Sequence, residues 1–230
     1  MTRACELAPG EPRYLHERAR IHLQLRETDP ARADLDRALA LRPEHLLSLL
    51  LRSELRLSQE DRAGALANAD VADRVAPRES NDRLALGEIN ENLDRLPAAI
   101  AQYHQWIASH DDDPKLFQAL NSRCWAKALL AQDLDHALSD CNRALRLRPE
   151  SSMILDSRGL VLFRRGESAK SLKDYDAALK LNRKSAWSYH VHGLDLLRLG
   201  RIGEGNADLA AAAGLAPKLA EQAGKYGIGR

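Results

Sequence analysis

Between residues 152 and 185 the apolar positions predict two helices and a turn. Met153 to Arg164 carries Leu155, Leu160, Leu162 and Phe163. Ser168 to Leu181 carries Leu172, Tyr175, Ala178 and Leu179 at spacings of three and four, the period of one helix face. Gly166 stands between the two runs, where a left-handed backbone costs glycine little. Gly159 and Ala178 are small and let the two helices approach closely.

The same pattern recurs along the chain. The strings RALALRPEH, RALRLRPES and AALKLNRKS resemble one another, and Pro43 and Pro77 lie 34 residues apart. Counting on by 34 from Pro149 reaches Arg183 and then Pro217. Ala38, Ala72, Ala144, Ala178 and Ala212 each precede the proline place by five residues. Seven residues earlier stand Ala31, Ala65, Ala99, Ala137, Ser171 and Gly205. Such self-similarity marks a stacked repeat. The copies are 12–45, 46–79, 80–113, 118–151, 152–185 and 186–219, with 114–117 an insertion between the third and fourth.

This pattern resembles the tetratricopeptide repeat, a 34-residue helix–turn–helix unit. That family has small residues at its eighth, twentieth and twenty-seventh places and proline at its thirty-second. The eighth place here reads Ala19, Ser53, Gly87, Trp125, Gly159 and Gly193. The resemblance implies an all-α fold: a right-handed superhelical solenoid of antiparallel helix pairs, six repeats followed by a C-terminal capping helix in 220–230. Trp106 and Trp125 are large where the family is small. Both flank the insertion, so the junction of repeats three and four should pack unusually and change the superhelical rise. Reading the phase backwards places Ala4 to Pro9 as the last turns of an earlier second helix, so residues 1–11 read as the end of a truncated preceding repeat.

Composition agrees with helices. The chain has 36 Ala and 40 Leu but only 4 Val, 7 Ile and 2 Thr, too few β-branched residues for a large sheet. A formal net charge of +1 is too balanced for a nucleic-acid binder. No apolar run approaches the roughly 20 residues of a membrane span, and Met1-Thr2 starts no signal peptide. The compartment stays open between cytoplasm and periplasm, and oligomeric state is not readable.

Candidate chemistry is sparse. The eight histidines form no H-E-x-x-H, and Gly200 to Gly205 follows a helix rather than a strand, as a phosphate loop would not. Asp111-Asp112-Asp113 lacks the glycine and glutamate of a calcium loop and reads as an acidic lead into the next helix. No metal, cofactor or catalytic constellation is expected. Cys124 and Cys141 face each other between the helices of repeat four, either as small buried hydrophobes or, in an oxidising compartment, as a disulfide.

The resemblance implies a non-catalytic scaffold that binds a protein or peptide in the concave groove lined by its first helices. The candidate lining residues are Arg13, His16 and Arg20, then Leu47, Leu50 and Glu54, then Asn81, Glu88 and Glu91. In the later repeats they are Arg123, Met153, Asp156, Trp187 and His190. The fifth and ninth places hold no Lys/Asn pair, so the family's two-carboxylate clamp is not expected. The tail of the chain also resembles repeat regions of α-proteobacterial proteins. In some of these a retropepsin-like aspartic protease domain precedes the repeats, which implies the alternative role of an accessory domain to a larger enzyme.

Overall fold

The computed structural model describes residues 11–229, so Ala4 to Pro9 lies outside the described residues. Among the described residues there are thirteen helices and no strand. In chain order they are α1 (Pro12–Gln24), α2 (Thr28–Leu41), α3 (Leu46–Ser58), α4 (Arg62–Val75), α5 (Asp82–Asn92) and α6 (Leu96–Ser109). There follow α7 (Leu116–Leu129), α8 (Leu134–Leu147), α9 (Ser152–Arg164), α10 (Ser168–Leu181), α11 (Ala186–Arg198), α12 (Ile202–Leu215) and α13 (Leu219–Lys225). The chain divides into two compact units, one ending at Ser109 and one beginning at His110. Each unit stacks three helix pairs, and the second adds α13.

Local chemistry starts and stops these helices. Ser151 accepts from the Ile154 N–H, Ser185 from the Ser188 N–H and Asp61 from the Gly64 N–H, each meeting a donor that the first helical turn leaves free. Ahead of α7, Asp113 Oδ1 accepts from the Lys115 N–H at 2.7 Å. Within each pair the turn needs a left-handed residue. Gly166 supplies it at φ 74°, whereas Arg26, Glu60 and Asp94 take φ 59–64° without being glycine.

Packing within a pair follows the small residues. A Cβ on Gly87 would lie 2.3 Å from the Tyr103 ring, and one on Gly159 would lie 2.8 Å from Tyr175. Both tyrosines are wholly buried. Cys124 and Cys141 take the corresponding place in the fourth pair and are joined as a disulfide, with Cα atoms 5.8 Å apart.

That bridge exposes a register difference. Every other pair turns through three residues, as in 25–27 or 165–167, but α7 and α8 are separated by 130–133. The extra residue shifts α7 by one. Cys124, not Trp125, therefore stands at the small eighth place, opposite Cys141. Trp125 moves to the ninth.

A polar stitch accompanies the apolar packing. Arg18, Arg52 and Arg158, at the seventh place, bond Asp34 at 2.7 Å, Asn68 at 2.9 Å and Asp174 at 2.7 Å, all at the twenty-third place. His192 meets Asp208 in the same way at 2.5 Å. Three of these side chains also reach the twenty-fifth place of the preceding copy: Arg52 to Asp36 at 2.8 Å, Arg158 to Asn142 at 3.0 Å and His192 to Asp176 at 3.4 Å. The stitch ties these pairs internally and, in copies two, five and six, to the pair before. In the third copy Leu86 holds the seventh place, and buried Arg83 takes over, bonding Gln102 and Asp73 at 2.7 Å each.

Candidate functional site

The expected groove residues fall into two groups, one in each compact unit. In the first unit Arg13, Arg20, Glu54, Asn81 and Glu88 are exposed. Arg20 bonds Glu17 at 3.0 Å. His16 is buried, its ring 5.9 Å from that of His45 in an edge-on contact, and burial lowers its pKa. Leu50 is 5% exposed and joins the core with Leu49, Leu86 and Ile89, so of the leucine run only Leu47, at 41%, stays well exposed. Glu54 and Glu91 are coupled through Glu88. Partial burial raises both carboxyls, and the Glu88 charge raises them further. Glu91 also accepts from the Tyr103 hydroxyl at 2.8 Å, which opposes the rise.

In the second unit the groups are closer together. Trp187, at the start of α11, lies edge-on to Trp125 of α7, with ring centroids 4.9 Å apart. His190, one turn along α11, has its ring 6.5 Å from Trp187. Asp156 of α9 accepts from the hydroxyls of Ser188 and, at 3.3 Å, Ser185, which flank Trp187 in sequence. Burial pushes the Asp156 carboxyl up to about 6, the two serine hydrogen bonds holding it down in part. Met153, one turn before Asp156, is 65% exposed. Trp187 Nε1, Asn121 Oδ1 and His190 Nε2 are buried without a hydrogen-bond partner.

Arg123 does not join this group. It bonds Asp140 at 2.7 Å through both Nε and Nη2 and belongs to the polar stitch. Its expected place on the groove came from counting α7 one residue out of register. With the register corrected, Asn121 and Trp125 take the fifth and ninth places, and sequence reasoning missed both. The signal that identifies them is the Arg123–Asp140 pair, whose partners are 17 residues apart where the other stitches span 16.

The segment after α13 lies against the same unit. Arg164, at the end of α9, donates to the carbonyls of Tyr226 and Gly227 and also to those of Ala128 and Leu129. Ile228 is wholly buried, and its backbone meets the His190 ring. Burial lowers the His190 pKa, with that backbone contact opposing it. A cavity of about 320 Å³ lies beside it, lined by His190, Leu194, Leu209, Ala212 and Gly229 among others.

Among the described residues no helix is long and apolar enough to cross a membrane. The model of the tetratricopeptide repeat matches residues 12–45. No curated protein matches the sequence. Solved structures match the fold at low identity. PilW, a type IV pilus biogenesis factor, has a TM-score of 0.71 at 15% identity, over 90% of this chain and 94% of that one. A tetratricopeptide repeat protein from Parabacteroides merdae has a TM-score of 0.69 at 15% identity, over 94% and 88%. A chain of the APC/C hetero-tetramer Cut9–Hcn1 gives 0.68 at 14% identity. There the match covers 98% of this chain but only 44% of the other. Residues 12–45 are a tetratricopeptide repeat, and the described chain has the fold of a tetratricopeptide-repeat protein.

Proposed function

We propose that this chain is a protein-interaction scaffold whose first helices hold an extended segment of a partner protein, without catalysing a reaction on it. The fold is that of proteins that work as interaction scaffolds. One observation supports the finer reading: the turn at residues 226–228, which ends α13, packs against first helices of its own unit through its backbone. Arg164 grips two successive backbone carbonyls, and Ile228 inserts an apolar side chain that is wholly buried. Side chains that bind carbonyls leave the identity of the ligand's own side chains free, which suits recognition of an extended peptide. Trp125, Trp187 and Met153 continue this surface with half-buried aromatic and exposed apolar area beside unpaired polar atoms. Such area favours contact with a partner.

Selection of a random-peptide library against the chain tests this. Peptides are expected that bind the native chain and lose at least tenfold in affinity to Trp125→Ala and Trp187→Ala variants with unchanged circular dichroism. Selection of no peptide, or of peptides indifferent to both substitutions, overturns the reading.

A further inference from the structure

The surface around Trp125, Asp156 and Trp187 lacks one kind of partner. Three successive first helices contribute one side chain each: an indole from α7, a carboxyl from α9 and an indole from α11. The indoles meet edge-on at 4.9 Å, and each is half-buried, so part of each ring stays open. Asp156 accepts from two serine hydroxyls, Ser185 and Ser188, at the start of α11, the same turn of helix that carries Trp187. Among the described residues it has no arginine, lysine or histidine in ion-pair contact. This sets it apart from Asp34, Asp140 and Asp174, each of which the chain pairs with an arginine of its own. The histidine near the cluster, His190, has its ring 6.5 Å from Trp187, and burial disfavours its charged form.

Aromatic faces and a carboxylate attract the same ligand. The negative face of an indole draws a cation, most of all a guanidinium, and a carboxylate in a partly dry site draws it further. We propose that Trp125, Asp156 and Trp187 form a subsite for a basic side chain, arginine or lysine, of the bound partner segment. The proposal rests on the reading of this surface as a peptide site. It adds that the occupant carries a positive charge at this point. Met153 extends the apolar floor for the aliphatic stem of such a side chain. A neutral or acidic occupant would leave the Asp156 carboxyl desolvated without a counter-charge.

The three tryptophans supply the test. Trp106 is buried in the first compact unit and serves as internal reference. N-acetyl-arginine methylamide and its neutral citrulline counterpart are titrated against the chain while the indole N–H signals are followed by NMR. The arginine compound is expected to shift the Trp125 and Trp187 signals, with Trp106 unmoved, and to bind at least fivefold more tightly than the citrulline compound. Asp156→Asn, checked for an unchanged spectrum elsewhere, is expected to abolish that preference. Equal response to the two compounds, or a preference that survives Asp156→Asn, overturns the subsite. Library peptides that need both tryptophans but tolerate citrulline in place of arginine would overturn the subsite while leaving the peptide surface standing. Failure to select any peptide would remove the wider reading instead.

Discussion

At the residue scale, the close contacts between small and aromatic side chains have a calculable cost when disturbed. Gly87→Ala places a methyl group 2.3 Å from a ring that has no room to move, so it is expected to destabilise by about 1–3 kcal/mol. Gly203→Ala, in the first turn of α12, meets nothing within 4 Å. It is expected to stabilise by roughly 0.5 kcal/mol through helix propensity. Urea denaturation of both variants measures the contrast. Asp156 governs a second effect. Its carboxyl is raised from 3.8 to about 6 on folding, so between those values the folded state keeps a proton that the unfolded state has released. Stability therefore falls as pH rises through that window, by on the order of 2 kcal/mol, and the loss is complete above it. Asp156→Asn is expected to remove this part of the pH dependence and to be relatively more stable at pH 8 than at pH 4. Parallel denaturation curves for the two proteins at both pH values would refute it.

At the scale of helices and their pairs, the charged residues are of two kinds. Arg158 is bonded twice to Asp174, a carboxylate only 8% exposed, whereas Arg201 and Glu204 pair on an open surface. Arg158→Met strands a buried charge and is expected to cost about 3 kcal/mol. Arg201→Ala is expected to leave stability unchanged within the precision of the measurement. Chemical denaturation separates them, and equal losses would mean that the inner pair contributes no more than a surface contact. Helix positions were largely legible in the sequence, because Gly166 and the recurring alanines and prolines mark turns and close contacts in most copies. The fourth pair was not. Its markers, Ala137, Ala144 and Pro149, all belong to or follow the second helix, so they fix α8 and say nothing of α7. The extra residue in the turn at 130–133 is invisible to a count of the proline period. It carried Trp125 to the wrong place and put Arg123 in the groove.

At the scale of the whole molecule, the division at Ser109 and His110 falls between the third and fourth helix pairs. The doubled irregularity there, a missing proline at Asp111 and additional residues before α7, was readable as a break. Which side chains share a surface in each unit was less so. The tail from Tyr226 to Ile228 reaches Arg164 and the His190 ring from a distant part of the chain, through backbone groups that no residue pattern records. Arrays of this kind hold together through neighbour contacts, so a break in the series weakens cooperativity. Calorimetry is expected to give a total unfolding enthalpy larger than the van't Hoff value from the same transition. A ratio of one would show that both units melt together.

The polar stitch also bears on how such a chain grows. Because the cation at the seventh place meets both its own copy and the tail end of the copy before, the joint is written into every copy that carries the three positions. A duplicate of residues 152–185 placed after residue 185 would present its arginine to Asp176 and its own Asp174 counterpart, and would offer His192 the partner it already has. For the polar stitch, then, the partners that such an inserted copy needs are already in place, and only the apolar surfaces of the new junction would have to fit afresh.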